Sequence, residues 1–582
     1  MLTFIAEYFV PILFLGLLAF LLSGVPVALG LAATGLIFGS VGMFAGLFDA
    51  SLFNALPLRV FGILQNETLL AIPFFTLMGI VLERSGMAED LLETVGQVFG
   101  PVRGGIAIAV VLVGALLAAT TGVIAAAVIS MGLIALPIML RYGYNRSIAM
   151  GTITASGTLA QALPPSLVLI VLADQLGRSV GDMYSAALVP GLLLVGVYVL
   201  FILVVAVVRP GWVPALPAEA LIYKESNGSS GHGSLFVLVL LCAAAGFSWS
   251  TVHDSVVGGW LGRDTAAPMD ELLISSLTVA SAFGLVLALA NRLTGAGLLS
   301  RLAERVTFVM IPPLVLIFLV LGTIFLGIAT PTEGGAMGAV GALVMAAARR
   351  RINMDLLKQA LNTTATLSCF VVFILIAATI FSFTFNAADG HYWVEALFDG
   401  LPGGAMGFLV VVNILVFVLG MFLDFFEIAF IVIPMLAPVA EKMGIDLIWF
   451  GIIIALNLQT SFLTPPFGFA LFFLRSVAAK TDYKDRVTGK LIPAVTTEQI
   501  YKGSIAFILL QILVVALIIV FPGLAAPGGE KQVLLDDNAV MELLQATPSP
   551  EPNDALMQGL DVPGQGAPHD PTQDVLDALK RE

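Results

Sequence analysis

Between Tyr8 and Phe521, the chain consists of long uncharged apolar blocks that alternate with short polar loops. The 582 residues are 59% hydrophobic and only 11% charged, with a mean hydropathy of +1.03. A soluble protein of this composition would aggregate, so the solvent around most of the chain must be a lipid bilayer. Because a helix satisfies its backbone hydrogen bonds within itself, we predict an all-α polytopic membrane protein.

The composition also excludes several classes of function. The two cysteines, Cys242 and Cys369, both lie in apolar blocks, so neither a disulfide framework nor a metal site is indicated. The sequence contains no motif for nucleotides, metals or nucleic acid, and no catalytic arrangement that would indicate an enzyme. The first nine residues lack the basic region of a cleavable signal peptide. Much of the net charge of −13 belongs to the acidic segment 523–582, which we predict to be disordered.

Two of the apolar blocks, 104–140 and 405–440, are too long for one crossing of about 20 residues. Each could be a re-entrant hairpin that enters and leaves the membrane on one side, a pair of short helices, or one tilted helix. If both are hairpins, the basic loops all fall on one face, which the positive-inside rule assigns to the cytoplasm. These basic positions are Arg141, Arg146, Arg209, Lys224, Arg292, Arg301, Arg305, Arg349–Arg351, Lys358 and Arg475–Lys490. This consistent topology favours the hairpins.

A pair of adjacent prolines interrupts each of two further apolar blocks. Pro164 and Pro165 lie in block 147–173, and Pro465 and Pro466 lie 301 residues later in block 447–474. Proline removes a backbone donor and clashes with the preceding turn, so each pair predicts a broken helix. A single break could be a structural kink in which nearby polar residues satisfy the backbone. Two breaks at one offset indicate an internal repeat.

The repeat predicts four segments. Residues 1–210 form a first repeat with scaffold helices, and 306–522 form a second repeat, so that each repeat contains one hairpin block and one broken helix. Residues 211–305 are an insertion with about two extra transmembrane helices, and 523–582 are the acidic tail. The first hairpin ends at a cytoplasmic loop and the second at a loop on the other face, so the repeats are inverted. Inverted repeats with interrupted helices are typical of secondary transporters, whose binding site lies where the broken helices meet.

Small, hydroxyl and amide residues surround the breaks and the hairpin centres. Unwound backbone there exposes carbonyls that can coordinate Na⁺, and helix N-termini favour anionic groups. The candidate Na⁺ ligands are Thr121, Gly122, Ser156, Gly157, Thr158, Asp424, Asn457, Thr460 and Thr464. The candidate substrate-binding residues are Pro164, Pro165, Ser166, Pro465 and Pro466.

Three carboxylates are candidates for ion coupling. Placing a carboxylate inside a membrane costs free energy, so such a residue usually has a functional role. Asp424 and Glu427 lie near the centre of the second hairpin block. The alternative for Asp424 is that it hydrogen-bonds the hairpin turn. Glu333, in "GIATPTEGGA", is a candidate either for coupling or for a structural role.

Several of these stretches resemble a known family. "IPFFTLMG", "GTITASGTLAQALPPSLVLIV", "GIATPTEGGA" and "IIIALNLQTSFLTPPFG" are similar to the large membrane subunit (the DctM-like permease) of tripartite ATP-independent periplasmic (TRAP) transporters. The resemblance covers most of residues 1–522. It implies an elevator mechanism and Na⁺-driven uptake of a small organic acid across the bacterial inner membrane. It also implies a small DctQ-like membrane subunit and a periplasmic solute-binding protein as partners.

The chain departs from many members of this family in two places. Its first hairpin carries "TTGV" where many members have Ser-Gly-Ser, so Thr121 and Gly122 match but Val123 has no hydroxyl. The first ion site would then depend on backbone carbonyls and on Thr158 or Ser166. The insertion makes the chain similar to a longer branch associated with mannitol and chloroaromatic compounds, although carboxylates such as 2-oxo acids or lactate fit the family better.

We therefore predict a Na⁺-coupled importer of a small organic acid, with Na⁺ as the coupling ion and without a nucleic-acid partner. The alternative is a stand-alone ion-coupled organic-anion transporter or antiporter of the same architecture that needs no binding protein. A membrane-embedded enzyme would need a cluster of catalytic acids or bases beside a large aqueous loop, and the sequence contains none.

Overall fold

The computed structural model describes residues 8–223, 225, 230–262, 267–295, 297–399, 401–485 and 487–525. The predicted acidic tail therefore lies outside the described residues from residue 526 onward. The helices up to residue 208 are α1 (Phe9–Leu22), α2 (Val27–Phe44), α3 (Leu56–Leu64), α4 (Ala71–Arg84), α5 (Met87–Phe99), α6 (Gly105–Thr121), α7 (Ile124–Arg141), α8 (Arg146–Thr158), α9 (Leu167–Gln175) and α10 (Val180–Val208).

The later helices are α11 (His232–His253), α12 (Met269–Thr294), α13 (Arg301–Phe325), α14 (Pro331–Ala348), α15 (Met354–Ala387), α16 (Gly390–Asp399), α17 (Gly404–Leu419), α18 (Phe425–Lys442), α19 (Leu447–Ser461), α20 (Phe469–Val477) and α21 (Thr497–Val520). Two short antiparallel strands, β1 (Tyr483–Lys484) and β2 (Leu491–Ile492), form a small hairpin before α21. Short 3₁₀ turns occupy Ala50–Ala55, Glu67–Leu70, Leu159–Gln161, Pro210–Trp212, Ala218–Ala220 and Pro522–Leu524.

The described part of the chain is an all-α membrane protein apart from the short β1–β2 hairpin. Eight of its helices are long and apolar enough to cross a bilayer, or up to nine if the bent pair Phe53–Leu64 and Glu67–Arg84 forms one span. Each of the two long apolar blocks consists of two helices joined by a short turn: α6 with α7, and α17 with α18. That each pair enters and leaves on one side of the membrane stays a prediction.

Contacts between the two halves of the chain come in reciprocal pairs. Helix α2 packs against α15, and α14 packs against α4. Helix α9 packs against α18, and α20 packs against α7. Helix α10 packs against α19, and α21 packs against α8. When the two halves are exchanged, each contact becomes its partner contact, which supports the predicted internal repeat. The inversion of the repeats and the boundaries of the four segments stay predictions.

Glycines allow the closest of these helix pairs. A Cβ at Gly151 of α8 would overlap the carbonyl oxygen of Gly503 on α21, and a Cβ at Gly503 would overlap the carbonyl of Ser147. Small residues let membrane helices approach until their backbones touch, and there van der Waals packing holds them together. The α8–α21 pair therefore depends on having no side chain at either position.

The insertion attaches to the corner between α5 and α6. The Gln97 side chain donates to the carbonyl of Ala220 at 3.0 Å and accepts from the backbone N–H of Ile222 at 2.9 Å. The backbone N–H of Leu216 donates to the carbonyl of Gly100 at 2.8 Å. After this segment, residues 216–222, helices α11 and α12 pack against each other and against α13.

Basic residues from distant loops meet on the face predicted to be cytoplasmic. Asp90 of α5 lies 2.9 Å from Arg349, 3.3 Å from Arg351 and 3.8 Å from Arg305. Arg146 donates to the carbonyl of Ala494 at 2.7 Å. Loops that the positive-inside rule assigns to one face are thus neighbours in space.

Asp485, in the loop between β1 and β2, is buried on the same face. The Thr488 hydroxyl donates to its carboxylate at 2.6 Å, and Arg141 pairs with it at 3.0 Å. These hydrogen bonds, the Thr488 side chain first and Arg141 after it, lower the pKa of Asp485 to about 2. The loop between α7 and α8 is thereby tied to the loop before α21.

Candidate functional site

The first double proline lies in a buried break within one apolar block. Helix α8 ends at Thr158, a 3₁₀ turn follows over Leu159–Gln161, and α9 begins only at Leu167. Ser166 caps α9, since its hydroxyl oxygen accepts from the backbone N–H of Val168 at 3.2 Å. Pro164 and Pro165 are buried, with a cis peptide bond between them.

The second double proline forms the same kind of break. Helix α19 ends at Ser461 and α20 begins at Phe469. The bond between Pro465 and Pro466 is again cis, and Pro466 is exposed, with its carbonyl accepting from the Tyr501 hydroxyl at 3.2 Å. Both apolar blocks are thus two half-helices around an unwound segment.

The turn between α6 and α7 contacts the first broken helix. Thr121 is the last residue of α6, and its side chain lies outside the described part of the structure. Gly122 has φ of +58°, a left-handed conformation that suits glycine. A Cβ there would lie 3.0 Å from Leu167 Cγ, so the turn rests on the first residue of α9.

The turn between α17 and α18 is closed by two carboxylates. Asp424 caps α18 by accepting from the backbone N–H of Phe425 at 2.8 Å. Glu427 completes a capping box by accepting from the backbone N–H of Asp424 at 2.8 Å. A hydrogen bond between Asp424 and its own turn, which was the alternative to a coupling role, is therefore present.

These elements surround one cavity of about 330 Å³. The two hairpin turns contribute Gly122 and Asp424, and the first break contributes Gln161. The remaining lining residues are Ile72, Thr76, Val123, Ile124, Ala125, Leu167, Val168, Leu367, Phe370, Val371, Phe425, Phe426, Phe462, Phe469 and Phe473. Residues from both halves of the chain, including helices α4 and α15, thus line this cavity.

Two buried polar groups at this cavity have no hydrogen-bond partner. Thr76 and Gln161 are each 1% exposed, and the Thr76 hydroxyl and the Gln161 carbonyl oxygen are unpaired. A buried polar atom without a partner costs free energy, so such atoms often mark a ligand site. Neither residue is among the candidates predicted from the sequence, although Gln161 lies three residues before the double proline.

The predicted ligands in α8 do not line the cavity. The Ser156 hydroxyl donates to the carbonyl of Thr152 at 2.7 Å, and the Thr158 hydroxyl donates to the carbonyl of Ala155 at 2.9 Å. A Cβ at Gly157 would overlap Val128 of α7, so this glycine serves close packing.

The predicted ligands in the second repeat also bond elsewhere. Asn457 donates to the carbonyl of Asn413 on α17 at 2.7 Å. Thr460 donates to Leu456 at 3.0 Å, and Thr464 donates to the carbonyl of Thr460 at 2.9 Å. These side chains lie around the breaks without facing the cavity.

Glu333 is a helix cap at a distance from this site. It accepts from the backbone N–H of Thr330 at 2.8 Å, in a capping box at the start of α14. Like Ser166 and the four prolines, it does not line the cavity. Of the predicted site residues, the structure places Gly122 and Asp424 on its wall.

A second cavity of about 320 Å³ continues from the first. The two share Val123, Ala125 and Leu367, and the second reaches Glu83 and Arg84 at the end of α4 that faces the basic loops. At the other end of α4, the Asn66 amide donates to the Asp174 carboxylate at 2.8 Å. The path from the main cavity therefore leads toward the predicted cytoplasmic face.

Comparisons with known proteins agree with this architecture. The family model for the DctM component of tripartite ATP-independent periplasmic transporters matches residues 14–524. The C4-dicarboxylate TRAP transporter large permease protein DctM of Pseudomonas aeruginosa is 30% identical over 74% of this chain and 82% of that protein. The isethionate TRAP transporter permease protein DctMQ of Oleidesulfovibrio alaskensis is 25% identical over 84% of this chain and 64% of that protein.

A third relative is the ectoine TRAP transporter large permease protein TeaC of Halomonas elongata, which is 24% identical over 88% of this chain and 96% of that protein. The family works with a small membrane subunit and a periplasmic binding protein, and its members are transporters rather than enzymes. The chain therefore belongs to the DctM family, the large multi-pass permease of TRAP transporters in the bacterial inner membrane.

Proposed function

We propose that this chain is a Na⁺-coupled importer of a small organic acid, which it receives from a periplasmic solute-binding protein while bound to a DctQ-like small membrane subunit. The observation that carries the proposal is the main cavity, because both hairpin turns and both broken helices meet there. A site at the junction of two inverted repeats can be exposed first to one side of the membrane and then to the other.

The anion would be held largely by helix N-termini. The first residues of four helices line the main cavity: Ile124, Leu167, Phe425 and Phe469. The N-terminus of a helix carries about half a positive charge, and its free N–H groups favour an anion. A carboxylate can thus be bound although no lysine or arginine is among the described residues of the cavity wall.

Na⁺ would bind beside the breaks. The hydroxyl groups of Ser156, Thr158 and Thr460 donate their hydrogens to helix carbonyls, which leaves oxygen lone pairs for a cation. Unwound carbonyls near the breaks would supply further oxygen ligands, and the Asp424 carboxylate would offer another at the cavity wall. No cluster of His, Cys, Asp and Glu suited to a heavier metal occurs among the described residues, which fits a site built from hydroxyl and carbonyl oxygens.

We further propose that import follows an elevator motion. Helices α6–α10 and α17–α21 would form the moving body, and α1–α4 with α13–α15 would form the scaffold. The second cavity between α4, α7 and α15 supports an inward-facing arrangement, as does the Asn66–Asp174 hydrogen bond on the opposite side. The moving body would break that hydrogen bond on its way to the outward-facing state.

Uptake into proteoliposomes tests the coupling. With both partners present, an inward Na⁺ gradient should drive accumulation of the organic acid that the binding protein carries. Full uptake with K⁺ in place of Na⁺ would contradict Na⁺ coupling. Full uptake without the binding protein would instead support a stand-alone transporter of the same architecture.

A further inference from the structure

We propose that the cavity between the hairpin turns selects a monocarboxylate with an aromatic or branched apolar body, rather than a dicarboxylate. This inference rests on the proposed function, since it assigns a substrate class to the proposed transport site. It starts from the aromatic side chains on the cavity wall, which are Phe370, Phe425, Phe426, Phe462, Phe469 and Phe473.

The phenylalanines come from both proposed bodies. Phe370 of α15 contacts Phe426 of α18 edge to face, with ring centroids 6.5 Å apart. Phe462 contacts Phe469 across the second break, with centroids 5.4 Å apart. Edge-to-face rings leave flat faces on which another ring or a branched chain can pack.

A few polar groups line the same cavity. Gln161 occupies the first break, and Phe462 occupies the corresponding position 301 residues later. Both are fully or almost fully buried, at 1% and 0% exposed. The unpaired Thr76 hydroxyl can donate to one carboxylate, whereas the unpaired Gln161 carbonyl oxygen can only accept, and Phe462 presents hydrocarbon.

A second carboxylate would find few free donors, because Ser166 already caps α9, and Asp424 and Glu427 already cap α18. Asp424 is the charged residue among the described residues of the cavity wall, and it has the same sign as the substrate. A charge buried without a partner is costly, and much of the remaining wall consists of phenylalanine rings or the like-charged Asp424, which disfavours a second carboxylate. An apolar group placed there instead gains by leaving water.

The volume fits this class. Ligand sites for small molecules usually span about 300 to 1,000 Å³, and the main cavity measures about 330 Å³. An apolar cavity of about 150 Å³ already holds benzene. One ring or branched chain with a carboxylate therefore fits, with room left for an ion or water.

Direct binding to the purified permease with its small subunit tests the inference, because the binding protein cannot then pre-select the ligand. In Na⁺ buffer, phenylpyruvate and 4-methyl-2-oxopentanoate should bind at least tenfold more tightly than succinate. Phe370→Ala and Phe473→Ala should each weaken phenylpyruvate binding at least fivefold. The matched controls Phe373→Ala and Phe472→Ala, on the same helices and 49% and 50% exposed, should not.

Three outcomes would overturn the inference. Succinate could bind as tightly as phenylpyruvate, or Phe370→Ala could leave binding unchanged. Phe370→Ala and Phe473→Ala could also slow the uptake of every substrate equally. The phenylalanines would then belong to the contact between the moving body and the scaffold rather than to a substrate site. Any of these results, obtained while Na⁺ still drives uptake, would reject the substrate class and leave the proposed function standing.

Discussion

Replacing Asp424 by asparagine separates its structural role from its charge. The carboxylate accepts one hydrogen bond from the Phe425 N–H at 2.8 Å and lines the main cavity. Asparagine caps helices as well as aspartate, so Asp424→Asn keeps the turn and loses only the charge near the helix N-terminus, about 0.3 to 1 kcal/mol. Asp424→Ala loses the cap as well, about 1 kcal/mol in total stability.

If Asp424 takes part in Na⁺ coupling, Asp424→Asn should reduce Na⁺-driven uptake at least tenfold, which corresponds to about 1.4 kcal/mol. The thermal denaturation temperature of Asp424→Asn in detergent should stay closer to that of the wild type than that of Asp424→Ala does. The matched control is Asp446→Asn, which changes another capping aspartate that is exposed and accepts from the Trp449 N–H at 2.7 Å. Wild-type uptake by Asp424→Asn would refute the coupling role and leave Asp424 as a cap alone.

Three further predictions follow from contacts outside the cavity. Asn66→Ala removes the hydrogen bond to the Asp174 carboxylate, worth about 1.5 kcal/mol, so the outward-facing population should rise roughly tenfold. The measurement is the labelling, from the outside, of a cysteine that replaces Ala125. Unchanged labelling would show that this hydrogen bond does not hold the inward-facing state. Because the pKa of Asp485 is lowered to about 2, the stabilisation of the fold by its ionised carboxylate should be complete above about pH 4 and lost as the pH falls through 2. The denaturation midpoint of Asp485→Asn should therefore approach that of the wild type only in acid. A difference in midpoint that stays constant with pH would argue against this. Gly151→Ala should push α8 away from the α21 backbone and lower thermal stability, whereas Gly196→Ala, where a Cβ meets nothing within 4 Å, should not; equal effects would contradict close packing.

The broken helices and the paired helices of the long blocks could be predicted from the sequence because the bilayer restricts what a chain can do. A block of uncharged residues longer than one crossing has to turn, and adjacent prolines have to interrupt a helix. Both signals are local, and the offset between Pro164 and Pro465 revealed the repeat without any contact being known.

The lining of the cavity could not be predicted in this way. Phe370 reaches Phe426 only because α15 packs against α18, and neither residue differs in type from the many phenylalanines that face lipid. The direction of the Gln161 side chain depends on the 3₁₀ turn that follows α8. The hydroxyl residues of the breaks were plausible ligands by type, but Ser156 and Thr158 bond their own helix, a local choice that sequence spacing does not reveal.

Accessibility of the main cavity tests the claim that this cavity is the transport site. Ala125 lines both cavities, so Ala125→Cys, in a chain with Cys242 and Cys369 replaced by serine, reports on the path from the site to the cytoplasm. We expect a membrane-impermeant maleimide to label it from the cytoplasmic side, and Na⁺ together with the transported acid to slow that labelling. Labelling from the cytoplasmic side that is unaffected by Na⁺ and substrate, or no labelling from that side, would contradict the claim.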